Sequence, residues 1–229
     1  METLRIWWDN ELFRFYFLLI SCLLLNRLPV IGPYFRLLAT MVHEGGHVLM
    51  ALLLGDKPQQ VSLFQDTSGM ATVSSSARWK NLLVSAAGYP LPALTALLGC
   101  WLIQHGYATA LIWGVTLLTG LFLVGYIRNL FGILWSLSFL AIHIFLIYKH
   151  LDFWIQILAQ IDTFTLLTEA IASTVTLVRI AWVSPEKAGD ASNMARILHL
   201  PSLLFALLFF ALNSWITYLC VLHFFPPFR

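Results

Sequence analysis

Residues 31–54 read Ile-Gly-Pro-Tyr-Phe-Arg-Leu-Leu-Ala-Thr-Met-Val-His-Glu-Gly-Gly-His-Val-Leu-Met-Ala-Leu-Leu-Leu, a stretch long and apolar enough to cross a membrane as one helix. Its apolar character is interrupted by His43, Glu44 and His47. A charged side chain at the centre of a bilayer costs roughly 3 kcal/mol, so such groups usually mark a functional site. The stretch therefore predicts a membrane fold with a polar site built into it.

The remainder of the chain has the same character. Its 229 residues are 59% hydrophobic and 10% charged, and the mean hydropathy is +0.81. These values exclude a soluble globular domain and indicate an all-α polytopic membrane protein. A net charge of +2 is too small and too scattered for a nucleic-acid-binding protein. Three cysteines in apolar segments form neither a disulfide pattern nor a zinc-ligand pattern: Cys22, Cys100 and Cys220.

Six or seven membrane-spanning helices are expected, because a span needs about 20 apolar residues. The candidates lie near residues 12–28, 33–55, 82–103, 108–127, 130–149, 163–183 and 199–224. No basic region with a cleavage site begins the chain, so we expect no signal peptide. Residues 1–30 are predicted to form a retained N-terminal anchor helix, and residues 31–229 a single core domain.

The longest polar stretch runs from Gly55 to Asn81. Within it, Gln60–Phe64 and Met70–Ser75 favour strands, and the turn-forming residues Gln65–Gly69 separate them. We therefore expect a small β-hairpin at the membrane surface.

The distribution of basic residues predicts the orientation in the membrane. With seven spans, nine of the thirteen Lys and Arg residues lie on the N-terminal side. The other four are Arg27, Arg36, Lys149 and Arg229. The positive-inside rule then places the N-terminus, the hairpin and the loop Ser184–His199 in the cytoplasm, most simply at the plasma membrane.

The polar motif has the spacing of a metal site. On a helix, His43 and His47 are one turn apart and can share one zinc ion, while Glu44 can act as base toward a zinc-bound water. The alternative is a chance triplet lining a packed core, which would desolvate three ionisable groups without gain.

A catalytic zinc needs a third protein ligand, and Asp190 is the favoured candidate. Its position ahead of an Ala-rich run also suits a helix N-cap. Asp152 and Asp162 are expected at the membrane interface, and Glu169 is expected to be a ligand, a proton relay or a helix–helix hydrogen bond.

Two further segments are unusual for a membrane helix. Gly45 and Gly46 indicate close helix packing, room for a substrate chain, or both. The prolines and the glycine in Ala86–Ala93 cannot sustain regular helical hydrogen bonding, so this segment forms either the entrance to a site or a simple kink.

Together these segments resemble the site-2 protease family of intramembrane zinc metalloproteases, in particular its compact branch without a PDZ domain. The resemblance extends from about residue 36 to residue 215. It rests on four segments in order, namely His43–His47 with the hairpin after it, Ala87–Pro90, Tyr126–Gly132, and Gly189–Ala195 ahead of Leu200 and Pro201.

The resemblance implies one Zn²⁺ per chain, held by His43, His47 and Asp190, with Glu44 activating water. The activity it implies is hydrolysis of peptide bonds in or near transmembrane segments of other proteins in the lipid bilayer. Asn193 or Asn129 would contact the developing oxyanion or the substrate. The hairpin, with Val61, Leu63 and Val73 as its candidate residues, would hold the substrate as an added strand.

Two other functions fit parts of the pattern. One is a non-catalytic zinc-binding membrane chaperone or regulator that retains the fold. The other is an ion or proton transporter, which predicts an internal repeat and polar residues in several spans; neither is present in the sequence.

Overall fold

A computed structural model of the protein describes residues 10–74 and 77–226. Apart from one hairpin and one short 3-10 helix, Pro185–Lys187, the described ranges consist of α-helices joined by short connections. The helices are α1 Glu11–Leu25, α2 Ile31–Leu53, α3 Arg78–Ala87, α4 Pro90–Gln104, α5 Ala108–Gly125, α6 Leu130–Tyr148, α7 Asp152–Val183, α8 Gly189–Leu198 and α9 Ser202–Phe224. The predicted all-α membrane fold with a small hairpin is confirmed.

Fewer helices meet the requirements for a span than the predicted six or seven. In the described ranges, α5, α6, α7 and α9 are long and apolar enough, and α3 with α4 makes a fifth span if the bent pair is counted as one. The helix α1 has only 15 residues, or about 22 Å against a hydrocarbon core of about 30 Å. The helix α2 is long enough, but the charged and imidazole groups of its motif lower its hydropathy.

The helix α1 packs against the middle of α7. Phe15 packs against Phe164 with ring centroids 5.1 Å apart, while the side-chain amide of Asn26 donates to the Thr165 hydroxyl at 3.4 Å. Cys22 Sγ lies 3.7 Å from the Ile161 carbonyl oxygen and Asn26 also reaches the Thr168 hydroxyl at 3.4 Å, so the contacts of α1 extend over about two turns of α7. The N-terminal anchor expected from the sequence stays a prediction.

The connections between the helices lie at two opposite faces of the bundle. One, the hairpin face, carries the hairpin, the connection 126–129 and the helix α8, which packs against α3. The other is called the opposite face. The end of α4, the start of α7 and the end of α9 lie there together, since Gln104, Gln156 and Phe224 line one small cavity. Phe15 lies at the opposite face, 4.7 Å from the ring of Phe225. The start of α1 and the hairpin are therefore on different sides, contrary to the seven-span arrangement; residues 1–9 lie outside the described ranges.

The hairpin forms as predicted, with slightly different bounds. Strand β1 (Lys57–Leu63) pairs antiparallel with β2 (Gly69–Ser74), and Val61 lies opposite Ala71. The second edge of β1 is also paired, because the Val61 N–H donates to the Tyr126 carbonyl at 2.9 Å. The second edge of β2 pairs with no strand in the described ranges. It borders a cleft between the hairpin and the helices, which is described below.

Alternation in the ladder determines which backbone groups reach that edge. Val61 turns its N–H and C=O away from β2, toward residues 126–128. In an antiparallel pair the residue opposite must then turn its own groups away from β1. The N–H and C=O groups of Ala71, and by the same alternation those of Gly69 and Val73, therefore point into the cleft.

Candidate metal centre and cleft

Three ligand atoms converge at the meeting point of α2 and α8. His43 and His47 lie one helical turn apart on α2, and their Nε2 atoms are 3.2 Å from each other. Asp190, in the first turn of α8, places Oδ2 3.4 Å from Nε2 of His43 and 3.3 Å from Nε2 of His47. The cap residue of α8 is Ala188, without a side-chain cap, so Asp190 faces the histidines and does not act as an N-cap.

The size of this triangle suits a tetrahedral metal ion. Bonds of about 2.0–2.1 Å from zinc to nitrogen or oxygen place tetrahedral ligand atoms about 3.3–3.4 Å apart. The three observed separations lie between 3.2 and 3.4 Å. Two imidazoles and one carboxylate, with one position left for water, are also a donor set of catalytic zinc sites. The group can therefore hold a metal ion.

The electrostatics of Asp190 favour the ligating form of its carboxyl group. Burial alone would raise the pKa of this group, but hydrogen bonds to the imidazoles of His43 and His47 hold the pKa below its ordinary value. A carboxylate that stays ionised at neutral pH is the form a metal ion binds.

The His47 ring is oriented by a backbone group of α3. Its Nδ1 lies 2.8 Å from the carbonyl oxygen of Val84, so Nδ1–H donates to that oxygen and Nε2 keeps its lone pair for a metal. The His43 ring packs edge-on against Tyr89 at 4.6 Å between centroids. Tyr89 in turn packs against Phe209 of α9 at 5.0 Å, which braces the second ligand.

Glycine is required where α2 meets the break between α3 and α4. A Cβ at Gly88 would lie 2.6 Å from Nε2 of His47 and 2.7 Å from Cε1 of His43. A Cβ at Gly46 would lie 2.4 Å from the carbonyl oxygen of Ala87. The predicted irregularity near Pro90 is present as a bend of 42°, and it presents bare backbone to the imidazoles.

Glu44 lies beside the triangle but outside it. Its side chain is 5% exposed and is directed at the hairpin, since a Cβ on Gly69 would be 2.6 Å from Glu44 Oε1. Strand β2 therefore covers the carboxylate on one side. The arrangement suits a proton acceptor for a molecule held at the metal position, because Glu44 is close to that position without being a ligand.

These groups open into a cleft of about 960 Å³. The free edge of β2 forms one wall, and α2, α3 and α8 form the others. Three basic residues line it together with His199, namely Arg36, Arg78 and Arg196. The cleft is large enough for an extended peptide segment, and its polar groups lie at the metal triangle and along the β2 edge.

The structure separates the other predicted site residues. Asn193 lines the cleft, and its side-chain oxygen accepts a hydrogen bond from Arg196. Asn129 does not line the cleft, because its amide is bonded to both backbone groups of Leu63, at 2.6 and 3.1 Å. Val73 lines the cleft, whereas Val61 and Leu63 on the inner strand are fully buried. Within the predicted substrate-strand hairpin, β2 therefore borders the cleft, while β1 with Val61 and Leu63 is held behind it by Asn129.

Two acidic residues have structural partners. Glu169 accepts a hydrogen bond from Nε of Arg36 at 2.8 Å and lies 3.5 Å from Arg27. Of its three predicted roles, the structure shows the hydrogen bond between helices. Asp162 is paired with His143 at 3.1 Å, and both are 1% exposed. The expectation that Asp162 lies at the interface is wrong, because α7 continues through this position and buries it against α6.

Sequence reasoning missed Val84 and Asn213, and it noted Gly88 without assigning it a contact with the histidines. The amide of Asn213 donates to the carbonyl oxygens of Tyr89 and Ala170, each at 3.1 Å, and thereby ties the broken helix to α7 and α9. An isolated Asn in an apolar span was the available signal. Val84 acts through its backbone, which leaves no signal in the side-chain pattern.

Comparison with known proteins assigns the family. The chain matches no curated protein and no solved structure. A family model described as peptidase M50B-like matches residues 15–220, a range that includes the histidine motif, the hairpin, the broken helix and Asp190. With nearly the whole chain matched, the protein belongs to the peptidase M50B-like family, the site-2 protease type that its segments resemble.

Proposed function

We propose that the protein is an intramembrane zinc-dependent endopeptidase that cleaves peptide bonds in or near transmembrane segments of membrane proteins. The observation that carries the proposal is the triangle of His43, His47 and Asp190 with the buried carboxylate of Glu44 beside it. Family membership supports a metalloprotease. The membrane-spanning helices around the site support a substrate within the bilayer.

In this function, zinc supplies Lewis acidity to a water molecule and to the scissile carbonyl. Glu44 takes the proton from the attacking water and later delivers it to the leaving amine. His47 is held in the ligating tautomer by the Val84 carbonyl. Asn193, on the wall of the cleft, is the residue we propose as a hydrogen-bond donor to the substrate.

The substrate would bind as a third strand on β2. A helical transmembrane segment has its carbonyl groups in internal hydrogen bonds, so it must unwind before hydrolysis. The outward N–H and C=O groups of Gly69 and Val73 and the C=O of Ala71 offer it a replacement ladder. The Ala71 N–H itself donates to the Glu44 carboxylate and so ties the base to β2. Val73 then remains a proposed contact, through its backbone.

The hairpin face is proposed to be cytoplasmic, in the plasma membrane. Seven of the eleven Lys and Arg residues in the described ranges lie toward this face, and four lie toward the other. Eight residues separate His47 from Gly55, or roughly 12 Å of helix. The cleavage site would then lie within the membrane, close enough to this face for water to reach it.

The test replaces Glu44 by Gln in the full chain in proteoliposomes that contain a panel of quenched fluorescent transmembrane peptides. We expect the wild type with zinc to cleave members of the panel. Glu44→Gln should lower the rate by about 100-fold or more with an unchanged zinc content. Glu186→Gln, an exposed carboxylate away from the cleft, is the matched control.

Equal cleavage by Glu44→Gln and the wild type would reject this mechanism. A zinc-loaded wild type that cleaves no member of the panel would instead favour the non-catalytic zinc-binding chaperone or regulator.

A further inference from the structure

A second cavity lies at the opposite face of the bundle, away from the metal centre. It has a volume of about 180 Å³, the room of about six water molecules. The helices α1, α4, α7 and α9 enclose it, at the level where α4 ends with Gln104 and α9 ends with Phe224. Because spans end there, the cavity lies at the depth of the lipid headgroups.

The polar residues that line this cavity can all donate hydrogen bonds, and one of them carries a positive charge. They are Arg14, Thr163 and three glutamines, Gln104, Gln156 and Gln160. Among the described residues, no Asp or Glu lines it. The cavity therefore has the charge and the donors for an anion.

Thr163 and Arg14 lack partners in the described ranges. Thr163 is 1% exposed, and its Oγ1 accepts or donates no hydrogen bond. A buried hydroxyl without a partner costs about 1–3 kcal/mol. The half-buried Arg14 side chain forms no ion pair or hydrogen bond with the side chains that the structure describes, among which that of Glu11 is not included. A charged donor and a buried donor facing one polar cavity indicate that a ligand completes it.

The walls fix the position of the hydroxyl. A Cβ at Gly99 of α4 would lie 2.5 Å from Oγ1 of Thr163, so the α4 backbone passes directly beside it. The Phe15 and Phe164 rings pack edge to face at 5.1 Å and belong, with Phe224, to the apolar part of the lining. A ligand with a polar anionic head and an apolar remainder matches both parts.

We propose that this cavity binds an anionic phosphate group, supplied by the headgroup of a phospholipid such as phosphatidylglycerol or by free phosphate. Arg14 neutralises the charge, and Thr163 with the glutamine amides donates to the phosphate oxygens. The acyl chains extend along the lipid-facing surfaces of α1 and α9. The site is separate from the metal centre, so it stands whether or not the protein is a peptidase.

The experiment measures binding to the full-length protein in detergent. Two probes are titrated, phosphatidylglycerol in mixed micelles and inorganic phosphate, with phosphatidylcholine as the reference lipid. Native mass spectrometry counts retained lipid, and the thermal midpoint reports stabilisation by a ligand of the folded state. Arg14→Gln should weaken phosphatidylglycerol binding by about tenfold or more, Thr163→Val should weaken it less, and Arg14→Lys should restore much of it.

The control is Lys149→Gln, which removes a cation from the same face but not from this cavity. Binding of phosphatidylglycerol alone identifies a lipid as the source, and binding of inorganic phosphate as well identifies a site for the phosphate group itself. The proposal is overturned if phosphatidylcholine binds as well as phosphatidylglycerol, or if neither probe binds the wild type. It is also overturned if Arg14→Gln and Lys149→Gln have the same effect.

Discussion

At the metal centre, two residues outside the ligand group determine where the imidazole nitrogens lie. The Val84 carbonyl fixes the rotation of His47, and the missing side chain of Gly88 leaves the space that both rings occupy. The three ligand residues determine which ions can bind, through the chemistry of their donor atoms. Val84 and Gly88 instead keep those donor atoms at separations that one ion can bridge.

Replacing Gly88 by Ala should lower the zinc affinity. The added methyl group would lie 2.6 Å from His47 Nε2, so the ring must shift and the triangle must widen. We expect a loss of about 10-fold or more, as for removal of an outer-shell partner, measured by competition with a chromophoric chelator. Gly114→Ala, where a Cβ meets nothing within 4 Å, should leave the affinity unchanged; equal losses in both variants would contradict the assignment.

Replacing Asp190 by Ala should remove most of the zinc binding. The loss should exceed the roughly 10–100-fold typical of an outer-shell change, because a direct ligand is removed. Asp66→Ala, an exposed carboxylate in the hairpin turn, is the control. Zinc content after dialysis decides the question, and an Asp190→Ala protein that retains wild-type affinity would require another third ligand.

At the scale of elements, the hairpin has one sealed edge and one open edge. Residues 126–128 and the Asn129 amide occupy the backbone groups of β1. The β2 edge faces the cleft and Glu44. A peptide can therefore extend the sheet only at the side where the metal centre lies.

Strand addition on β2 predicts an alternating dependence on the substrate backbone. In a peptide cleaved by the protein, single amides are replaced by esters one position at a time. Each ester removes one N–H donor, and only every second residue pairs with β2. The KM should therefore rise at alternate positions and remain unchanged between them; a uniform or absent effect would exclude the ladder.

Much of the site was predictable because its signals are local. The four-residue spacing of His43 and His47 fixes their shared face on any helix, and strand alternation with turn residues revealed the hairpin. The burial of Val61 and Leu63 behind β2 was not predictable. It depends on hydrogen bonds between β1 and residues 126–129, which lie up to 66 residues away in the chain. The path of α1 likewise depends on its contacts with α7 and α9. The sequence of a 15-residue apolar helix does not indicate which helices it contacts.

At the scale of the whole molecule, the hairpin face and the opposite face of the bundle carry different sites. The hairpin face carries the metal centre and its cleft, and the opposite face carries the start of α1 and the small polar cavity. The helix α1 closes the bundle near the end of α9, where the Tyr16 hydroxyl donates to the Pro226 carbonyl. The two ends of the described chain therefore meet at one face.

Labelling in sealed vesicles should reveal this arrangement. The native cysteines are at most 7% exposed, so an impermeant maleimide should react mainly with introduced ones. Asn10→Cys and Tyr107→Cys should react from the same side and Gln65→Cys from the other. Reaction of Asn10→Cys together with Gln65→Cys would mean that α1 crosses the membrane.

The hydrogen bond from His47 to the Val84 carbonyl also couples metal binding to the geometry of the broken helix. An ion held by His47 stabilises the position of α3 that supports this tautomer, and by thermodynamic reciprocity that position of α3 strengthens the hold on the ion by the same factor. The helix α3 follows directly after the hairpin. A displacement of α3 therefore changes the affinity of the centre even though α3 supplies no metal ligand.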